Sequence, residues 1–120
     1  MGKYVDGFVI PVSKKKLPAY RKMAHVGAKI WKKYGALEYF ECVGDDLNPA
    51  LPGVKFPKMA KIKKGETVIF SFIVYKSRKH RDSVNAKVMN DPIMNQPMNM
   101  PMPFDMKRMA FGGFKTIVEF

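Results

Sequence analysis

Three ionisable side chains are the first candidates for catalysis: Asp6, Glu41 and His80. The two carboxylates fall in segments of alternating, mostly apolar residues, so each would be set into the apolar face of a strand. A carboxylate in such a place either finds a partner or acquires a raised pKa, and enzymes prepare catalytic carboxylates in this way. The alternative for both is an ion pair with Lys or Arg across a dimer interface, for example with Arg108.

His80 lies in the charged segment SRKHRD, three residues after Ser77. Ser77 is a predicted helix N-cap, so the imidazole would sit in the first turn of that helix. A histidine at such a position could act as a general base near neutral pH. The alternative is a solvated helix start in which Arg78, Arg81 and Asp82 pair their charges.

The sequence carries no pattern for a metal or a phosphate. One cysteine and two histidines do not make a zinc site, and neither a Gly-rich phosphate loop nor HExxH is present. Asp45 and Asp46, directly after Gly44, are typical of a turn rather than of a cation site. Cys42 is expected to face the core, with no basic neighbour to activate its thiol. We therefore predict neither a cofactor nor a metal.

The elements that must position these residues are indicated by apolar spacing and by helix breakers. Strands are predicted at Tyr4–Val12, Ala36–Val43, Glu66–Lys76 and Arg108–Phe120, and helices from near Lys15 to Tyr34 and from Ser77 to about Asp91. This order predicts an α+β, ferredoxin-like βαββαβ fold with a four-stranded antiparallel sheet and both helices on one face. Residues 1–120 are expected to form a single domain. The segment 44–65 should be functional or carry a short helix, and Gly112 with Gly113 indicates a bulge or a close approach.

Aromatic residues and a methionine-rich segment predict a pocket between the sheet and the helices. Residues 92–106 alternate proline and methionine too densely for regular structure, and their flexible side chains would form an adaptable apolar flap. The candidate lining residues are Tyr20, Trp31, Tyr39, Ser71, Met100 and Met102. The alternative is an ordinary hydrophobic core covered by a loop.

The third strand, with the sequence TVIFSFIVY from Thr67 to Tyr75, is apolar on both faces. Successive strand residues point to opposite faces, so both sides of the sheet need cover. A chain of 120 residues with room for two long helices covers only one side. We therefore predict a homodimer in which a second copy covers the other side.

The formal net charge of +12 raises the question of an anionic partner. Lysines outnumber arginines, although arginine is better suited to bidentate phosphate contacts, and the lysines are dispersed along the chain. The aromatic residues fall on apolar stripes rather than among lysines, which disfavours nucleic acid. We expect a cytoplasmic protein without a membrane span or a cleaved leader, since no apolar run is long enough and the single cysteine suits a reducing compartment.

Four blocks of sequence resemble a known family. They are YVDGFVIPV, ALEYFECVGDD, ETVIFSFIVYKSRKHRDSVNAKVMNDP and MPFDMKRMAFGGF. In content and spacing they resemble the bacterial DUF1428 family, which belongs to the dimeric α/β-barrel superfamily. The resemblance implies a ferredoxin-like protomer and a homodimer whose two sheets face one another. Relatives in that superfamily include cofactor-independent monooxygenases, haem-degrading enzymes and stress-response domains, so the fold alone does not assign an activity.

These observations favour a homodimer that binds a small apolar or aromatic molecule between sheet and helices, and that could act as a cofactor-independent enzyme. The candidate catalytic residues are Asp6, Glu41 and His80. The alternative is a basic protein that associates with RNA or another anion through its lysine surface and has no enzymatic activity.

Overall fold

Two central strands, β1 (Tyr4–Ser13) and β3 (Glu66–Tyr75), pair antiparallel along their whole length, from Tyr4 opposite Tyr75 to Ser13 opposite Glu66. The computed structural model describes residues 2–95 and 102–120. The edge strands β2 (Glu38–Val43) and β4 (Ala110–Lys115) complete a sheet of order β2-β3-β1-β4. Helices α1 (Leu17–Lys33), α2 (Phe56–Met59) and α3 (Arg78–Met89) fill the connections, with short 3-10 turns at Lys14–Lys16 and Met106–Arg108.

The ferredoxin-like α+β prediction is confirmed: α1 and α3 both pack on one face of the sheet. We call this the helix face and the opposite one the outer face. Alternation along β1 and β3 sends the buried Tyr4, Ile10, Ile69, Ile73 and Tyr75 to the helix face. There they meet the buried residues of the two helices, which are Tyr20, Ala24, Ile30, Val84 and Val88. Each buried isoleucine or valine among them contributes about 1.5–3 kcal/mol by leaving water.

Local signals explain where the helices begin and end. The Ser77 hydroxyl accepts a hydrogen bond from the His80 backbone N–H at 3.1 Å, which makes Ser77 the N-cap of α3 as predicted. Pro18 lies in the first turn of α1, where its missing N–H costs nothing. Gly35 follows α1 with φ of +103°, a conformation that favours glycine. The segment 44–65 was expected to be functional or to carry a short helix, and it contains the short helix α2.

The last strand is shorter than the predicted Arg108–Phe120. It ends at Lys115, which pairs with Tyr4, the first residue of β1. Thr116 instead bonds Lys3, its backbone N–H and its hydroxyl both donating to the Lys3 carbonyl at 3.1 and 2.7 Å. The glycine pair forms no bulge, since the register with β1 is continuous. The predicted close approach is present at Gly113, where a Cβ would lie 2.9 Å from an Arg81 nitrogen.

Arg108 anchors the segment before β4 to the start of β3. Its Nη1 donates to Glu66 Oε2 at 2.7 Å, its Nη2 donates to Glu66 Oε1 at 2.8 Å, and Nη2 also donates to the Lys61 carbonyl at 3.0 Å. The prediction that Arg108 pairs with Asp6 or Glu41 of a second chain is therefore wrong: its guanidinium is occupied within its own chain. Hydrogen bonds from Arg108 lower the pKa of Glu66 to about 2.

This clamp predicts a contribution to stability that acid removes. Because the folded-state pKa of Glu66 is depressed from 4.5 to about 2, the contribution is complete above the unfolded-state value and is lost as the pH falls through this window. The variant Glu66→Gln should be less stable than the parent by about 1 kcal/mol near neutral pH, and this difference should shrink steadily as the pH falls from about 4.5 towards 2. Urea unfolding of both proteins at a series of pH values measures the difference. A difference that does not change with pH would refute this role for Glu66.

Candidate functional site

A groove of about 850 Å³ runs between α1 and the edge strand β2 on the helix face. It is lined by Leu17, Pro18, Tyr20, Arg21, Lys22, Ala24, His25, Ala28, Tyr39, Glu41, Val43 and Ile69. On α1 the residues Leu17, Ala24 and Ala28 recur at helical spacing, and the two alanines are too small to fill the space beneath them. Gly27 also keeps this side of α1 small, because a Cβ there would lie 3.1 Å from the Tyr39 hydroxyl.

Two tyrosine hydroxyls hold the carboxylate of Glu41 inside this groove. Tyr20 Oη donates to Glu41 Oε1 and Tyr39 Oη donates to Glu41 Oε2, each at 2.7 Å. Glu41 points to the helix face because it is two residues from Tyr39 on the same strand, and it lies opposite the buried Ser71 of β3. We call these three side chains the Tyr–Glu–Tyr clamp.

The clamp fixes which groups donate and which accept. Burial raises the pKa of Tyr20, and the hydrogen bond to Glu41 raises it further. Burial likewise raises the pKa of Tyr39, with the nearby Glu41 charge as the second cause. Both phenols therefore keep their protons at physiological pH and act as donors. Each carboxylate oxygen has two lone pairs, so Glu41 retains acceptor capacity for a third group.

A second polar cluster lies between the helices and the two central strands. The Asn85 side chain is its centre: Oδ1 accepts from Trp31 Nε1 at 3.1 Å and from Tyr75 Oη at 3.0 Å, and Nδ2 donates to Asp6 Oδ2 at 3.4 Å. Arg81 Nη1 lies 3.7 Å from Asp6 Oδ1. The predicted alternative for Asp6, an ion pair across a dimer interface, is therefore wrong. Its basic partner is Arg81 of the same chain.

His80 is hydrogen-bonded to backbone rather than to a carboxylate. Its Nδ1 accepts the Lys76 backbone N–H at 3.0 Å, and its ring lies edge-on to Tyr75 with centroids 6.1 Å apart. Within residues 2–95 and 102–120, no hydrogen bond joins His80 to Asp6 or Glu41. The three catalytic candidates thus occupy three separate environments.

The predicted pocket residues divide between the two clusters. Tyr20 and Tyr39 line the groove, whereas Trp31 belongs to the Asn85 cluster and touches the groove only through its ring, 6.0 Å from that of Tyr39. Ser71 is buried opposite Glu41 and does not line the groove. Met102 is half-buried, and Met100 lies outside the described residues.

Sequence reasoning missed four polar residues of these sites. Arg21, Lys22 and His25 line the groove, and Asn85 joins the second cluster. A signal existed for Asn85, since it sits beside the buried Val84 on a helix whose apolar stripe is thin.

The structure also corrects the placement of Cys42. It is exposed on the outer face, because it lies one residue beyond Glu41 and therefore points the opposite way. No three His, Cys, Asp or Glu side chains in the described ranges are grouped so that they could hold a metal ion. None of the helices in the part of the chain that the structure describes is long and apolar enough to cross a membrane.

Comparison with known proteins identifies the family. The model of the family described as protein of unknown function DUF1428 matches residues 3–106. This chain belongs to the DUF1428 family. It is 44% identical over 117 residues to the protein named uncharacterized YbaA of Escherichia coli K12, with 98% of each chain covered, and equally similar to YbaA of Shigella flexneri. All groove residues and the Asn85 cluster fall within the stretch that matches the DUF1428 model.

A solved structure agrees with the fold. A crystal structure described as a dimeric ferredoxin-like protein, from an uncultured marine organism, superposes with a TM-score of 0.57 at 12% identity and full coverage of both chains. At that identity the likeness shows the ferredoxin-like architecture of this DUF1428 protein and nothing about its chemistry.

The Asp6–Arg81 pair predicts strong coupling between two substitutions. Asp6→Ala removes one of the two carboxylates beside a guanidinium that is only 23% exposed, the other being Asp82 at 3.2 Å from Nε, so it should lower the free energy of unfolding by about 1–2 kcal/mol. The double variant Asp6→Ala with Arg81→Met removes both charges and should recover at least half of that loss. Chemical denaturation of the parent, both single variants and the double variant gives the coupling energy. Additive losses would show that the two charges do not depend on each other.

Proposed function

We propose that this protein binds a small molecule with an apolar body in the groove between α1 and β2, and that Glu41 is the hydrogen-bond acceptor for that molecule. The observation that carries the proposal is the Tyr–Glu–Tyr clamp, a carboxylate oriented by two 2.7 Å hydrogen bonds in a groove that also has an apolar wall. Small-molecule sites combine an apolar lining with a few convergent polar groups, and their volumes run from about 300 to 1,000 Å³.

Catalysis would require one further step at the same carboxylate. As a cofactor-independent enzyme, the protein would use Glu41 to take a proton from the bound molecule, with Tyr20 and Tyr39 holding the carboxylate in place. Asp6 and His80 have other roles in this proposal. Asp6 joins β1 to α3 through Asn85 and Arg81, and His80 fixes the backbone at the start of α3.

A fragment screen followed by ligand-observed NMR tests the binding proposal. Glu41→Gln leaves an amide with one acceptor oxygen for two tyrosine hydroxyls, so fragments bound in the groove should lose at least tenfold in affinity. Glu38→Gln is the matched control, because Glu38 is exposed on the same strand and points to the outer face. The proposal fails if no fragment binds, or if both variants bind the fragments as the parent does.

The outer face supports a second part of the proposal, a homodimer. Phe40, Phe70 and Phe114 are 46%, 45% and 63% exposed there, although each lies on a strand of the sheet. Phe72 joins Phe40 and Phe70 in a continuous aromatic surface, with ring centroids 4.9 and 5.9 Å apart. A contiguous apolar patch of this kind marks an interface. The ferredoxin-like neighbour is described as dimeric, and we propose that two copies of this chain likewise pack sheet to sheet.

The same surface supports the second candidate function, single-stranded RNA binding. Some four-stranded sheets stack RNA bases on exposed aromatic rings, and this chain carries a formal charge of +12. Several aromatic rings are exposed on this face, which has no cover from the two long helices. The charges favour the dimer, however: every outer-face position of the four strands lacks Lys and Arg, and the acidic Glu38 is among them. A phosphate backbone laid across this face would meet no cation from the strands.

The substitution Phe70→Glu separates these candidates. A buried charge at the centre of a sheet-to-sheet interface should convert the dimer to a monomer in multi-angle light scattering at micromolar concentration. Phe111→Glu is the matched control, since Phe111 is exposed on the helix face of β4 and should leave the mass unchanged. A monomeric parent protein would overturn the dimer. If that monomer also bound oligouridylate with steep salt dependence, and Phe70→Glu abolished binding, the RNA alternative would replace it.

A further inference from the structure

The outer rim of the groove is basic. Arg21, Lys22 and His25 line it from α1, and all three are exposed. Arg21 and His25 are four residues apart, so they stand one above the other beside the stripe that includes Ala24 and Ala28. The apolar wall of the groove therefore passes directly into a row of basic side chains.

The basic side chains of the rim are not engaged in ion pairs in the part of the chain that the structure describes. None of the ion pairs formed within residues 2–95 and 102–120 includes Arg21, Lys22 or His25. Glu41 is the sole acidic residue among those that line the groove, and both of its oxygens are engaged by the tyrosines. Charge is thus sorted along the groove, with a negative acceptor inside and positive groups at the mouth.

We propose that the ligand of this groove is a small organic acid with a hydroxyl or amino donor at the end remote from its carboxylate. This inference rests on the proposed function and adds the ligand class. The donor would meet Glu41, the apolar body would lie along Leu17, Ala28 and Ile69, and the carboxylate would meet the basic rim. The sorting of charge disfavours the opposite orientation: a cationic group would be repelled at the rim, and an anionic group at the inner end would be repelled by Glu41.

Three related compounds test the two ends of the ligand separately. They are para-hydroxyphenylpropionate, which has both groups, para-hydroxyphenylpropionamide, which lacks the acid, and phenylpropionate, which lacks the donor. Titration calorimetry on the full chain should rank the complete compound first. The amide should bind roughly fivefold more weakly at low salt, and this gap should narrow as salt is added. Loss of the donor should cost roughly tenfold.

Paired substitutions on α1 test where the carboxylate of the ligand binds. Arg21→Gln with Lys22→Gln should weaken para-hydroxyphenylpropionate about fivefold and leave the amide unchanged. Lys29→Gln with Lys32→Gln is the matched control: it removes the same charge from the same helix, at exposed residues that do not line the groove. Equal losses in the two double variants would show a general charge effect and overturn the inference.

The outcomes distinguish this inference from the proposed function. If the amide binds as tightly as the acid, the ligand class is wrong while Glu41-dependent binding stands. If none of the three compounds binds but the fragment screen yields Glu41-dependent ligands, the class is again wrong and the groove remains a binding site. If neither experiment yields a ligand, both the inference and the proposed function fall.

Discussion

The pairing of β1 with β3 is the constraint on which the rest of the structure depends. The two strands are matched residue by residue from end to end, so their apolar side chains must be divided between the two faces of the sheet. The chain supplies two long helices, and both lie on one face. The polar side chains that the sheet buries must therefore find hydrogen-bond partners beneath those helices. The apolar side chains on the outer face need cover from a source other than the two long helices. Phe70 on β3 shows the second consequence most directly, since it lies on a central strand and is still 45% exposed.

The two polar clusters of the helix face differ because of their places in the sheet. Asp6 lies on the central strand β1, under α3, where Arg81 and Asn85 of that helix contact its carboxylate and bury it. Glu41 lies on the edge strand β2, where α1 does not close over the sheet. A carboxylate on the central strand thus becomes part of the internal scaffold, whereas a carboxylate on the edge strand anchors a groove. Burial and hydrogen bonding decide between these roles, rather than the local sequence.

Much of the fold follows from the sequence, whereas the partners of its polar groups do not. Apolar spacing predicts the order of strands and helices, and alternation predicts the two-faced strand β3. The sequence predicts Tyr20 and Tyr39 as pocket residues because Tyr20 lies on the apolar stripe of a helix and Tyr39 on an apolar strand. That Tyr20 would donate to Glu41 could not be predicted, since 21 residues separate them and the contact depends on how α1 lies across β2. The predicted end of β4 was wrong for a related reason. Ile117 and Val118 have strand propensity, but β1 contains no residues that could pair with them.

The central claim is that a second copy of this chain covers the outer face while the helix face keeps its groove. Isotope-filtered NMR on a mixture of labelled and unlabelled chains tests it most directly, because it detects contacts between copies alone. A sheet-to-sheet dimer should give intermolecular NOEs between the rings of Phe40, Phe70 or Phe114 and the methyl groups of Val5 or Val9, which share the outer face. Intermolecular NOEs confined to residues of α1, or no such NOEs at concentrations where the protein is dimeric, would contradict it.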